Sequence, residues 1–201
     1  ILTNSVVNPY SPSVYNRGFR GVGPHQSCLP SGKQNPLYTK WTAMLKRCYS
    51  ETCRHEYASY AHVEVCEEWL NFQEFANWCV NDGKYMTGHE LDKDLLSGES
   101  KIYSPETCCF IPSEINATLI VPFKPASKLE PRGITLTPYG KYRVSTVKNG
   151  ISTHRGNFDD LDTAIEVYVK NTKEKIHELA NKYKSQITEE VYNRLMNYPN
   201  K

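Results

Sequence analysis

Three prolines fall within VPFKPASKLEPRG (121–133), and they set the first limit on how this chain folds. Proline fixes φ, brings no backbone N–H and pushes the preceding residue away from helical conformation, so a run spaced like this reads as a linker. The segments on its two sides must then each bury a core of their own. At 201 residues the chain has room for two small domains. The spacing predicts four parts: an arm over 1–37, a domain over 38–120, the Pro-rich linker over 121–131 and a second domain over 132–201.

The arm is rich in Gly, Pro, Ser and Asn, as in NPYSPS and RGFRGVGPH, and is expected to be irregular and ordered against the domain that follows. From Tyr38 helical spacing takes over. YTKWTAMLKRCY places Trp41, Met44, Leu45 and Cys48 on one face at i, i+3, i+4 and i+7. A short strand is expected over HVEVC (62–66). A helix follows over EEWLNFQEFANWCV, with Trp69, Phe72, Phe75, Trp78 and Cys79 on one stripe, whose ordinary reading is a buried core face.

Beyond the linker the texture changes. GITLTPYG, KYRVSTVKNG and ISTHRGNF read as three short strands joined by turns at Tyr139-Gly140 and Asn149-Gly150, the second a strong hairpin signal. Asp159-Asp160 then cap a helix over 160–183, with Leu161, Ala164, Ile165, Tyr168 and Val169 on its inner face, and TEEVYNRLMNY makes a last short helix. The fold class is therefore α+β, ending in a small β-β-β-α unit.

Charge is unevenly distributed along the chain. Residues 1–40 carry four basic side chains and no acids, 41–120 hold 6 basic against 13 acidic, and 121–201 hold 14 basic against 9 acidic. Attraction to phosphate is expected at the two ends and not in the middle. In the C-terminal unit the free sheet face is furnished by Arg132, Lys141, Arg143, Lys148, His154 and Arg155. A sheet on one helix can enter a DNA major groove with such residues, though an ordinary solvated face has the same composition.

The segment LDKDLLSGESKIYSPETCCFIPSEIN, Leu91 to Asn116, has the layout of a ββα-metal unit: acidic Asp92 and Asp94, a Gly turn, a strand entry, a Cys pair, and a helix with Glu114 and Asn116. Hard carboxylate and amide oxygens of this kind suit Mg²⁺, with Asp92, Asp94 and Asn116 as the candidate catalytic set.

Seven cysteines are an odd count: Cys28, Cys48, Cys53, Cys66, Cys79, Cys108 and Cys109. Cys48, Cys66 and Cys108 on separate elements, with a His as fourth ligand, would make a closed tetrahedral zinc site, structural in kind. His89, Cys109, His62 and Cys53 all stand open as the fourth ligand, and buried thiols are the alternative to zinc.

Two resemblances sharpen these readings. YTKWTAMLKRCY…VCEEWLNFQEFANW…LDKDLL…YSPETCCFIPSEIN resembles phage-type HNH (His-Me finger) endonucleases of the homing class. That resemblance implies metal-dependent DNA phosphodiester hydrolysis, with Asp92 in the slot of the family's general-base His, Thr107 in that of the middle Asn, and Asn116 retained. A carboxylate near pKa ~4 is a poorer base at neutral pH than imidazole unless its pKa is raised. His89 is the nearest substitute, but strand alternation turns it to the other face.

The words RGI…GKYRV…NG…HRGNFDDLDTAIEVY, over about residues 131–170, resemble the ethylene-response-factor (Apetala-type) DNA-binding domain. The resemblance implies that Arg132, Lys141, Arg143 and Arg155 contact DNA; Lys148 joins them on charge alone.

The expectation is thus a double-stranded-DNA-binding protein of the HNH homing-endonuclease class with a His-to-Asp active site. The alternative is a non-catalytic DNA-binding or host-protein-interacting phage regulator on a relic nuclease scaffold. No apolar run reaches the roughly 20 residues of a membrane span. ILTNSVVNPYSP lacks the pattern of a secretion signal, so an intracellular place is expected, the host cytoplasm if the chain is phage-encoded.

Overall fold

Asn35 opens the first helix. Its Oδ1 accepts the N–H of Leu37 at 2.9 Å and Pro36 takes the first helical position, where a missing N–H costs nothing. The helix, α1 (Pro36–Tyr49), turns Trp41, Met44, Leu45 and Cys48 inward, each fully buried, as their spacing predicts. In the computed structural model, residues 8–56, 62–98, 100–119, 133–148 and 151–198 of the chain are described. Linker residues 121–131 lie outside the described residues.

The architecture is mixed α and β, and it divides into two units, Ile1–Phe110 and Ile111–Lys201. In the first, α1 is followed by α2 (Glu51–Glu56), β1 (Glu64–Val65), α3 (Phe72–Asn81), β2 (His89–Asp92), α4 (Asp94–Ser97), β3 (Ile102–Tyr103) and the start of β4 (Cys109–Pro112). β1 pairs in parallel with β3, and β2 shares a two-stranded sheet with β4. The expected strand over 62–66 narrows to two residues because the ladder opposite it is only Ile102–Tyr103.

Aromatic rings make up much of this core. Trp69 meets Phe75 edge-on at 5.1 Å and Trp78 at 4.6 Å, while Tyr38 stands edge-on to Phe72 at 5.0 Å. Each ring hides on the order of 150–250 Å². The indole N–H of Trp41 donates to the Trp69 carbonyl at 2.7 Å, so the buried donor is satisfied.

The expected single helix over EEWLNFQEFANWCV is broken. Glu68–Leu70 form one tight 3₁₀ turn, Asn71 is extended, and α3 starts at Phe72 with the Asn71 side chain accepting the N–H of Gln73. The cause is the N-terminal arm. Phe19 donates its N–H to Leu70 O and accepts that of Phe72, both near 3 Å, which holds the chain extended at Asn71. The arm is thus ordered against the domain, locked by Gln73, whose Nε2 donates to the carbonyls of Arg20 and His25 while its Oε1 accepts the N–H of His25.

In the second unit α5 (Ser113–Leu119) precedes an antiparallel sheet in the order β5 (Ile134–Leu136), β6 (Tyr142–Lys148), β7 (Ile151–Phe158). Helix α6 (Leu161–Lys182) covers one face, burying Ile134, Val144, Ala164 and Tyr168 together. Asp160 caps it, accepting the N–H of Thr163 at 2.7 Å. Val167, and not the expected Val169, packs with Leu161 and Ile165 at the margin of that cluster. Helix α7 (Glu189–Met196), capped by Thr188, ends the described chain. No helix among the described residues is long and apolar enough to cross a membrane.

Candidate nucleic-acid interface and candidate metal centre

The free face of the C-terminal sheet follows from strand alternation. Val144 faces α6, so Arg143 points the other way, with Thr135 opposite it on β5 and Asn157 on β7. Ser145 and His154 continue that face as the next cross-strand pair. Arg143, Thr135, Asn157 and His154 are all exposed. The ladder slips between Val144 and Ser145, leaving Arg155 as the extra residue of a β-bulge. Its Nε donates to Thr146 Oγ1 at 2.8 Å, which fixes the guanidinium beside the ladder.

Lys141 stands at the start of β6 in an exposed ion pair with Asp159 at 2.9 Å. The Lys148 side chain and the whole of Arg132 lie outside the described residues.

Sequence reasoning passed over Tyr139. At 91% it is the most exposed large hydrophobic side chain among the described residues, at the tip of the β5–β6 turn. The turn beneath it is tied by Thr137 N–H to Lys141 O at 2.8 Å and Gly140 N–H to Thr137 O at 3.0 Å. An aromatic held outward on a rigid turn beside a lysine was a legible signal.

In the first unit β2 alternates as expected: His89 and Leu91 are buried, Glu90 and Asp92 half-buried. Asp92 ends the strand. Burial, foremost, raises its carboxyl above the usual range, and Asp94 adds to this; the N–H of Leu95, donating to Oδ1 at 2.8 Å, pulls the other way. Asp92 therefore also ties down the first turn of α4, whose N-cap position is Lys93. Lys93 between the two acids is itself buried, its Nζ donating to Asp94 Oδ1 and Ser100 O, both at 2.6 Å.

Thr107 donates to Ile102 O at 2.7 Å and accepts the N–H of Ser104 at 3.0 Å, stapling the turn before β4. Asn116 sits on α5, which belongs with the second unit, while Asp92 and Asp94 belong to the first. On α5, Glu114 Oε2 accepts from Lys182 Nζ at 2.6 Å and Tyr183 OH at 2.9 Å. The Lys182 hydrogen bond is the main reason that its carboxyl lies below the usual range.

The cysteines are mostly core. Cys48 and Cys108 are buried, and burial pushes both thiols up to about 12; Cys66, half-buried, is pushed to about 11. Among the described residues no three His, Cys, Asp or Glu side chains come together as a group able to hold a metal ion. The Cys48, Cys66, Cys108 and His89 set is thus not brought together as such a group among the described residues.

Compared with known proteins, the chain matches no family model, no curated protein sequence and no solved structure.

Proposed function

We propose that this chain binds double-stranded DNA through the uncovered face of the β5–β6–β7 sheet. The observation that carries the reading is Arg143, exposed near the start of β6 and flanked across the sheet by the exposed Thr135 and Asn157. A guanidinium on a β-surface can take the O6 and N7 of a guanine, and neighbouring hydroxyl and amide groups can reach other base edges or phosphate. Arg155, Lys141 and Tyr139 border the same unit's exposed surface with charge and one aromatic ring. The Apetala-type resemblance of residues 131–170 points the same way.

Fluorescence anisotropy with a labelled duplex tests this. Arg143→Ala and Arg155→Ala should each weaken binding, by about 1–3 kcal/mol where the side chain reads a base. Equal binding by wild type and both variants, or no binding by wild type at low salt, overturns the reading.

Hydrolysis is the second reading, and Asp92 favours it: it ends β2 in the base slot and burial raises its carboxyl toward neutrality. Two engagements weigh against it, because Asp92 already ties down the first turn of α4 and Glu114 is held by Lys182 and Tyr183. Plasmid incubated with the protein and Mg²⁺ or Mn²⁺ decides: nicking lost in Asp92→Asn supports hydrolysis, and unchanged plasmid ends that reading while leaving DNA binding intact.

A further inference from the structure

The first unit carries a strip of positive charge built from two segments. No Asp or Glu occurs before Glu51, while Arg17, Arg20, Lys33, Lys40, Lys46 and Arg47 all do. Residues 51–120 hold 4 basic against 13 acidic side chains, so the electrostatic boundary falls at the end of α1. Because the arm lies against the same domain, its charges and those of α1 act as one patch. Lys40 is spent on Glu90, at 2.5 Å.

Arg17 and Arg20 are presented in a particular way. Gly18 between them is buried, so close to α1 that a Cβ there would stand 2.3 Å from Leu45 Cδ1 and 2.7 Å from the Trp41 ring. Pinning the backbone at Gly18 turns its neighbours outward, and both arginines are exposed. Each then leans on a tyrosine of α1: the Arg17 guanidinium lies 5.5 Å from the Tyr49 ring centre, that of Arg20 6.0 Å from Tyr38.

Tyr38 and Tyr49 are eleven residues apart, three helical turns, so they share a side of α1 and stand roughly 16 Å apart along it. Stacking on a ring leaves the edge of a guanidinium, with its N–H donors, free for an anion. Downstream, Gln73 and the His25 Nε2–Asn77 Oδ1 contact at 2.9 Å keep the arm seated.

We infer that Arg17 and Arg20, stacked on Tyr49 and Tyr38, form a second DNA contact on the first unit, one that grips backbone phosphate and reads no sequence. The inference rests on the DNA-binding reading above but concerns different residues. Anisotropy titrations of the full chain on a labelled duplex across 50–200 mM salt test it, with Arg17→Gln/Arg20→Gln, Arg17→Lys/Arg20→Lys and Arg143→Ala alongside wild type. Glutamine removes the guanidinium and its charge, whereas lysine keeps a positive charge on a stem of similar length.

The Gln pair should lower the slope of log affinity against log salt by about 2. Its deficit relative to wild type should then shrink about tenfold from 50 to 200 mM salt. The Lys pair should keep the wild-type slope. If wild type binds, Arg143→Ala weakens it and the Gln pair keeps the wild-type slope and affinity, the arm contact is overturned while the sheet reading stands. A reduced slope in the Gln pair with Arg143→Ala unchanged upholds the arm and overturns the sheet. No binding by wild type at 50 mM salt overturns both.

Discussion

Glu114 on α5 and Lys182 at the end of α6 are joined at 2.6 Å, although 68 residues separate them. The bond recruits α5 to the C-terminal unit and occupies a carboxylate that the sequence layout places in a metal finger. Lys182 also lies 4.7 Å from the Tyr183 ring, so one cation serves two partners.

Removing that carboxylate should have a pH signature. Glu114 is held below its ordinary 4.5 and Lys182 above its ordinary 10.5, each chiefly by the hydrogen bond to the other. The stabilisation is therefore present between those values, lost as pH falls through the folded carboxyl value below 4.5 and lost again as pH rises past 10.5. Glu114→Gln should melt below wild type at pH 7, and the gap should narrow as pH falls below 4.5. The pair is solvated, so the gap should also narrow in high salt. Thermal melts followed by circular dichroism check both.

At Asp92 the sign is opposite. Burial raises its carboxyl, so folding favours the protonated form, and the group's contribution to stability declines as pH rises through the folded value. Asp92→Asn keeps an oxygen that can accept from Leu95 without a buried charge, and should be neutral or stabilising at pH 7. Asp92→Ala loses that hydrogen bond and should cost about 1 kcal/mol. Urea titrations of the two variants separate hydrogen bond from charge.

Gly133 should tolerate no side chain. It has φ +86°, and a Cβ there would lie 2.3 Å from Tyr168 Cε2 and 2.9 Å from Ser145 O. Left-handed backbone costs a non-glycine residue about 1–2 kcal/mol, and forcing Tyr168 aside about 1–3 more. Gly133→Ala should therefore destabilise the C-terminal unit by about 2–5 kcal/mol in denaturant unfolding.

Thiol reactivity should sort the cysteines by depth. Cys28 is exposed and should react quickly with a disulfide reagent at pH 8, whereas Cys48, Cys79, Cys108 and Cys109 are buried. Burial also pushes the thiols of Cys48 and Cys108 to about 12. These four should react only after denaturant is added, as mass spectrometry of labelled peptides would show.

Much of the fold was legible because periodicity reports burial. The stripe Trp41, Met44, Leu45, Cys48 and the three C-terminal strands emerge where the spacing puts them. What escaped depends on partners remote in sequence. The helix break at Asn71 exists because Phe19 takes its neighbours' hydrogen bonds. The bulge at Arg155 is a mismatch between two strands, invisible in either alone.

The candidate site was legible only in part. Arg143 follows from alternation, but the hold of Asp92 on Leu95 needs the short helix α4, which sits where the sequence suggests only a turn. Charge counted in blocks of residues also misplaced the boundary, since α1 carries the charge of the arm packed on it, not that of the acidic loops after it.

The seating of the arm also sets an order of events. Arg20 is made before Gln73, yet its carbonyl waits for a side chain 53 residues further on. At about 5–20 residues per second of synthesis, that is a delay of roughly 3–10 s. Until α3 has been made, the carbonyls of Arg20 and His25 lack the Gln73 amide that they accept from. Closing so long a loop is slow relative to local helix formation. The segment that emerges before α1 is therefore fastened to α3 only once residues well beyond α1 have been made.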